Sequence, residues 1–546
     1  MKYQLGLLSL AVASALAVSA TVESAPTTPR LAATTRAQAL IDGPAARAIA
    51  RSASDRFVVK DIIRDRNGAE HVRFDRTYLG LPVIGGDVVV HSRAGQLQRT
   101  SGSLKNAARP RIAPAITAED AIVEAGAHFG IAFQGKPQTR LVVYAMHERA
   151  NNPALAYEVR MQGVKASQLP TDMRYYVDAG SGKLLGQWDT VHTAVPGPDG
   201  ACPGAVPAIG TGKTKFGGDV VLNTVGCRGG SNHWLYDLTR GGNRTYNMNN
   251  RQYGPAYIFT DADNVWGNNQ YSDTNTLAAD VHYATQVTWD YYKTTFGRLG
   301  IANDGLGAMS RVHYGRNFVN AFWSDACFCM TYGDGDRATY NAFTALDDVA
   351  HEMTHGITSR TAGLVYSGES GGLNEATSDI FGTAAEFFAN NPADPGDWLS
   401  GEHMYIDNPN GTRALRYMFK PSLDGVSADC YTSDVGTLDV HYSSGVANRF
   451  FFLLSAGAVV PAGFGAGTPA NLTPNDLVCN GNTALTAIGI QAAEQIWYKA
   501  LTTYMTSGTT FAQARTATLS AAADLYGAGS VQHNAVAAAW SAVNVN

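Results

Sequence analysis

Between Arg56 and Leu104 the apolar and polar positions of the chain alternate, as in His71-Val72-Arg73-Phe74-Asp75-Arg76-Thr77-Tyr78. Gly80-Leu81-Pro82-Val83-Ile84-Gly85-Gly86 then turns into Asp87-Val88-Val89-Val90-His91. A period of two with turn residues between the runs predicts strands. Residues 117–187 predict a helix over Ala118–Phe129, then strands around Leu141–Tyr144, Ala156–Arg160 and Arg174–Val177, with a turn at Ser181-Gly182. Residues 21–54, rich in Ala, Thr, Pro and Arg, read as a poorly ordered lead or a loose helix. Thr193–Pro207 is dense in Pro and Gly and reads as a linker. Strands with many Gly, Asn and Tyr residues follow. From Asp347 onward helical spacing takes over, as in Gln491–Leu501, and Ala535–Val543 is apolar enough for a buried terminal helix.

At 546 residues, 45% hydrophobic and 16% charged, the chain can hold several domains with sizeable cores. A net charge of -5 without a long basic run gives no footing for nucleic acid. Met1-Lys2, an apolar stretch from Leu5 to Val18 and the small residues Val18-Ser19-Ala20 make residues 1–20 a signal peptide, too short to span a membrane. The expected product is secreted, soluble, free of membranes and monomeric. Six cysteines in an exported chain favour disulfides, with 15 connectivities open. Local pairing points to Cys202–Cys227 and Cys430–Cys479. That leaves Cys327 and Cys329, where a bridge across one residue is strained and reduced thiols or a stray metal are the alternatives.

The chemistry concentrates at His351-Glu352-Met353-Thr354-His355, with Glu375 twenty positions beyond His355. On a helix His351 and His355 project from one face and can grip one metal ion, with Glu375 as a third ligand from a second helical stretch. Three protein ligands with an open fourth position is the catalytic form of zinc. Glu352 stands where a carboxylate can take the proton of an attacking water. Such a five-residue match arises by chance in roughly one to a few per cent of chains this size, on a solvated helix carrying two histidines. The flanks argue against that. Asp347-Asp348 opens the first helix with acidic residues, and Asn374-Glu375 precedes an apolar helix able to pack on it.

With these motifs the chain resembles the thermolysin family of secreted zinc metalloendopeptidases, most of all its pseudolysin and vibriolysin branch. Val319-Asn320-Ala321-Phe322-Trp323 resembles the family's substrate-edge segment, Gly363-Leu364-Val365-Tyr366 precedes the glutamate helix at the family's spacing, and Leu415-Arg416-Tyr417 and Asp439-Val440-His441 resemble its arginine and second-histidine motifs. The likeness covers roughly residues 205–545, with a weaker one in the precursor region.

The resemblance implies an α+β architecture: a two-lobed catalytic domain, β-rich over 208–345 and helical over 346–546, preceded by α+β propeptide modules. These are a lead at 21–54, a first module at 55–105, a second, inhibitory module at 112–190, and an activation linker at 191–207 cut near Ala194. It implies an autoprocessed zymogen that hydrolyses internal peptide bonds before bulky apolar residues, with polypeptides as substrates and its own propeptide as inhibitor and folding aid. One catalytic zinc would sit on His351, His355 and Glu375, with Glu352 as base and Asp379 orienting a zinc ligand. Tyr366 and His441 would donate to the oxyanion, with Asp439 orienting His441. Arg416 would hold a substrate carbonyl, Leu415 line the pocket, and Asn320, Ala321 and Trp323 form the peptide-binding edge. Calcium, one or two ions, would take Asp347, Glu386, Asp397, Glu402 and the Leu399 carbonyl. Leu399 replaces an acidic residue of the family pattern, so fewer ions are expected than in thermolysin. Asp348, where the family places an apolar residue, would attract a basic side chain to the primed-side pocket.

Two rival readings fare worse. Aminopeptidases with this ligand set carry Gly-x-Met-Glu-Asn upstream, whereas Gly307-Ala308-Met309-Ser310 lacks the acidic residue. An exported binding protein with a degenerate site would have lost Glu352 or His441, and both are present.

Overall fold

The computed structural model describes residues 29–168, 170–190, 202, 204–227, 232–408 and 410–546. The signal peptide and the expected cleavage near Ala194 lie outside the described residues. Of the lead, residues 29–54 are described, and they open with a helix, one of the two forms its composition implies. Helix α1 (Pro29–Asp42) packs Ala37, Leu40 and Ile41 against Val72, Phe74, Val88 and Val90.

Alternation does build strands in the precursor region. These are β1 (Asp55–Arg64), β2 (Ala69–Tyr78), β3 (Leu81–Ile84), β4 (Val88–Arg93) and β5 (Gln96–Gly102). After them come α2 (Ala118–Phe129) and β6 (Phe133–Tyr144), β7 (Ala154–Val164), β8 (Pro170–Asp178) and β9 (Leu184–Asp189). Helix α2 starts on a capping box between Thr117 and Asp120 and stops at Gly130, whose φ of 67° suits glycine. A short parallel pairing of β3 with β6 (Val83 with Val143, Ile84 with Tyr144) joins the two groups of strands. The result is one nine-stranded sheet, ordered β5-β4-β2-β3-β6-β7-β8-β9 with β1 on β2.

The next part opens with β10 (Val206–Lys213) paired to β11 (Asp219–Gly226) in a five-stranded sheet. A second, six-stranded sheet contains Asn243–Arg251, Met309–Tyr314, Cys329–Tyr332 and Ala321–Ser324, the last at its edge. Within this β-rich lobe runs a 22-residue helix, α3 (Asn275–Phe296), which periodicity does not predict. Its polar residues Asp280, His282, Thr285, Gln286 and Thr288 are buried along with its apolar ones, so no polar stripe marks it in the sequence. Tertiary hydrogen bonds satisfy Asp280, His282 and Gln286, the last to the Val221 carbonyl and from the Asn223 N–H, while Thr285 and Thr288 donate to carbonyls one turn back in the helix.

The helical lobe holds α4 (Leu346–Arg360), α5 (Gly368–Ala389), α6 (Val440–Ser443), α7 (Gly445–Ala456), α8 (Ile490–Lys499), α9 (Phe511–Tyr526) and α10 (Val531–Ala542). Helix α8 continues through Ala500–Tyr504 as a π-turn. Phe450 stacks on Trp540 with centroids 3.8 Å apart. Burying a ring of this size contributes about 4–6 kcal/mol before entropy is charged against it. Bridges join Cys202–Cys227 and Cys430–Cys479, the latter across a separation of 49 residues. Closing a loop of that length in the unfolded chain is worth about 4 kcal/mol on the entropic account. Cys327 and Cys329 are also bridged, so they are neither reduced thiols nor metal ligands.

Candidate metal centre and cleft

Two glycines set the distance between the elements that build the site. A Cβ on Gly356 of α4 would lie 2.9 Å from the Trp323 ring, and one on Gly382 of α5 would lie 2.9 Å from the Asp347 carbonyl oxygen. Both contacts are too close for a side chain. Their absence lets α4 pack against the edge strand on one side and α5 on the other.

From α4, His351 and His355 turn their Nε2 atoms toward each other at 3.0 Å. From α5, Glu375 places Oε1 3.3 Å from His355 Nε2 and Oε2 3.5 Å from His351 Nε2. The far nitrogens are engaged: His351 Nδ1–H donates to Asp379 at 2.9 Å and His355 Nδ1–H to Asn374 Oδ1 at 2.8 Å. Asn374 is oriented for this because its amide donates to the Leu364 carbonyl. With both protons on Nδ1, two imidazole lone pairs and a carboxylate converge on one point. Buried, such a set repels itself unless a cation sits there. The residues therefore fit a divalent metal with nitrogen and oxygen ligands, and zinc in particular.

The charges agree. Burial disfavours the charged form of His351, yet bonds to Asp379 and Glu375 outweigh it and raise its pKa to about 10. Burial raises Glu375 and Asp379, but neighbouring histidines, and Arg416 for Asp379, hold both below the ordinary carboxylate range. The pocket is built to hold positive charge. Glu352 is 7% exposed, one position from His351, and its Oε2 has no partner among the described residues. Burial raises its pKa against the lowering influence of His355 and His351.

Around this point stand the other expected residues. The Tyr366 hydroxyl donates to Glu375 Oε1 and lies 3.1 Å from His441 Nε2. His441 Nδ1 is 2.7 Å from Asp439, which also caps α6 through the His441 N–H. Asn320, Ala321, Trp323 and Leu415 all line the same cleft, a space of about 860 Å³. Arg416 lines the cleft as well. Its Nε and Nη2 are both taken by Asp379, at 2.7 and 2.6 Å, so only the remaining donors can serve a substrate carbonyl. Asp348 is buried in the cleft wall, where burial and then the Asp347 charge hold its pKa well above the usual range.

A second group of carboxylates lies at the start of α4. Asp347, Glu386 and Glu402 bring ligand atoms within 4.8 Å of one another, and both oxygens of Glu386 lack partners. Oxygen donors with unmet valence fit calcium. Asp397 lies beside them, its Oδ1 accepting the Leu399 N–H. Asp394 and His403, which sequence reading missed, form a further group with Glu402. Asn374 and Asn448 were also missed. Asn448 donates to Asp379 at 2.7 Å from inside the apolar run of α7, and a lone amide in such a run was the available signal.

The cleft is roofed by the end of the nine-stranded sheet, through Lys165, Met173, Trp188, Asp189 and Thr190. Comparisons with known proteins agree with this assembly. Residues 209–359 match the family profile described as "Thermolysin metallopeptidase, catalytic domain", residues 362–545 its "alpha-helical domain", and residues 55–104 the "Fungalysin/Thermolysin Propeptide Motif". The chain is 46% identical to "Transglutaminase-activating metalloprotease" of Streptomyces mobaraensis, over 90% of this chain and 61% of that protein. It is 36% identical to "Thermolysin" of Alicyclobacillus acidocaldarius, over 88% of this chain and 84% of that protein. Among solved structures it resembles the precursor of protealysin from Serratia proteamaculans, with a TM-score of 0.42, 28% identity, and coverage of 56% of this chain and 87% of that one.

Proposed function

Since the chain belongs to the thermolysin family of zinc metallopeptidases, we propose that it is a secreted endopeptidase made as a self-inhibited precursor. The convergence of the His351, His355 and Glu375 lone pairs at the floor of a roofed cleft carries this reading. Those three residues would hold zinc, which when bound would supply Lewis acidity toward the scissile carbonyl and its attacking water.

The chain's own residues do the rest. Glu352, desolvated and unpartnered, takes the proton of the attacking water and passes it to the leaving amine. Tyr366 and His441 converge on the ligand set from the open side and donate to the oxyanion as it forms. Asp439 keeps the His441 imidazole in register. Asp379, held by Arg416 and Asn448, fixes the tautomer of His351. Ala321–Ser324 is an edge strand, so Asn320 and Ala321 can pair with an extended substrate. Leu415, Met404 and Phe343 line the cleft and favour a bulky apolar residue after the scissile bond.

Asp347, Glu386 and Glu402 would hold calcium, which when bound would tie α4 to α5 and to the loop after it. Residues 21–190 form the propeptide, and self-cleavage falls in the linker over 191–207. No helix among the described residues is long and apolar enough to cross a membrane. Export rests on the signal peptide at residues 1–20. The test is hydrolysis of casein by the secreted product: phenanthroline abolishes it and zinc restores it. Full hydrolysis by metal-free protein would end the proposal.

A further inference from the structure

The propeptide meets the helical lobe through a buried cluster that catalysis does not use. His71 on β2 and His91 on β4 are cross-strand partners. Their Nδ1 atoms are 2.7 Å apart, and they are only 5% and 2% exposed. Both rings lie against Tyr504 in the π-turn after α8, at centroid distances of 5.9 and 4.9 Å. A contact of this length between two imidazole nitrogens holds one proton, with one ring donating and the other accepting.

The second nitrogens settle which ring does which. His71 Nε2 lies 3.1 Å from Asp65, whose carboxylate also takes Lys499 of α8 at 2.6 Å. His91 Nε2 lies 2.9 Å from the Ser101 hydroxyl on β5, and among the described residues no carboxylate is bonded to His91. The Asp65 carboxylate takes the His71 Nε2–H, so His71 Nδ1 is the acceptor, His91 Nδ1–H the donor, and His91 Nε2 accepts from the Ser101 hydroxyl.

The charges facing His91 are nearly all positive. They are Arg73 on β2, Arg99 on β5 and Lys499 on α8. Arg99 also stacks its guanidinium 4.0 Å over the Tyr504 ring and bonds Ser520 of α9. The acidic groups nearby are engaged elsewhere: Asp65 as above, Asp87 toward Arg73 and Ser507, and Asp524 of α9 with the Tyr504 hydroxyl.

We propose that the His71–His91 pair is a proton-operated latch, and that a proton on His91 drives the propeptide sheet off the helical lobe. The added proton enters at His91 Nε2, turns the Ser101 hydroxyl from donor to acceptor, and adds a cation to a dry cluster of cations. The linkage has the required sign. Burial, and then the neighbouring His71, Arg99, Arg73 and Lys499 side chains, hold docked His91 well below the ordinary imidazole range. The docked state therefore binds fewer protons than the undocked one. Docking is fully stable above the ordinary value of about 6.5 and weakens as pH falls below it toward the lowered value. Trp188 and Asp189, which roof the cleft, belong to the same nine-stranded sheet, so unlatching at β2 and β4 loosens the roof as well.

The latch rests on reading residues 21–190 as the propeptide, and its test is independent of activity. The full chain carrying Glu352→Gln, which prevents self-cleavage, is followed by amide hydrogen exchange corrected for intrinsic rates. Protection in Val88–Arg93 and Ala500–Tyr504 should fall about tenfold between about pH 7.5 and about pH 5, while α10 stays protected. Adding His91→Asn, whose side-chain amide can donate to His71 but cannot be protonated, should keep protection at the lower pH within about twofold of its neutral value. Equal protection of the parent at both values overturns the latch, and so does the same acid loss in both proteins. If the Asn variant does not fold, the parent's curve decides. The casein assay stands or falls separately.

Discussion

Two buried places in this molecule bring a pair of imidazoles nitrogen to nitrogen, and their surroundings could hardly differ more. At the cleft floor, His351 and His355 face each other at 3.0 Å among Glu375, Asp379 and Glu352. At the propeptide interface, His71 and His91 face each other at 2.7 Å among Arg73, Arg99 and Lys499. The first pair has its protons drawn to the outer nitrogens by acceptors, so its lone pairs point inward and attract a cation. The second has one proton between its rings and resists another. The same two side chains become a metal grip or a proton sensor according to the sign of the charge built around them.

The largest effect should come from the carboxylate that makes the first site chemical and not merely electrostatic. Glu352→Gln keeps shape and ligands but cannot take a proton, so kcat/KM on a peptide should fall by about 10⁴-fold with zinc content unchanged. Undiminished hydrolysis would show that another group is the base. His441→Ala removes a donor and no ligand, so kcat should drop by about 10²–10³-fold with zinc retained. Zinc loss from that variant would recast His441 as part of the grip.

Calcium removal sharpens the comparison differently, since it strips a cation from a carboxylate cluster that has no proton to share. With calcium about 100-fold above its dissociation constant, its removal should cost about 3 kcal/mol, read as a lower Tm in EGTA. A Tm indifferent to calcium would dismiss Asp347, Glu386 and Glu402 as ligands. Asp379→Asn weakens the acceptor behind His351, so zinc affinity should fall about 10–100-fold in a competition titration. Affinity at the parental level would mean that the inward tautomer needs no support.

The smallest effect separates the proton sensor from its neighbour. Burial raises the Asp65 pKa, but His71 and Lys499 prevail and bring it to about 2. A carboxylate lowered in the fold contributes stability that is present above its unfolded value and lost only as pH falls toward about 2. The acid profile of the precursor should thus show two steps, one near the imidazole range and a weaker one far below it. A single step near pH 2 would place the whole acid response on Asp65.

Much of this was open to reading from the chain. The strands of the precursor region follow from alternation, and α2 begins and ends where its capping residues indicate. His351 and His355 share a face because they are four apart on a helix, and Glu352 must then lie beside them. These are consequences of local geometry, repeated every turn or every second residue, which the order of residues determines without help.

Tertiary structure decided what depends on segments meeting. Helix α3 escaped because its polar residues are buried against two sheets, so periodicity carried no record of it. Asn448 reaches Asp379 from another helix, Asp394 and His403 join the acidic cluster through a loop, and Arg416 turned out to grip Asp379 with two of its donors. His71 and His91 were visible in the sequence only as polar positions in two strands. Cross-strand register placed them face to face, and docking onto Tyr504 and Lys499 dried them and set the sign of their field. Spacing along the chain prescribes which way a side chain points from its own element, but the dielectric and the charges it then meets come from residues hundreds of positions away.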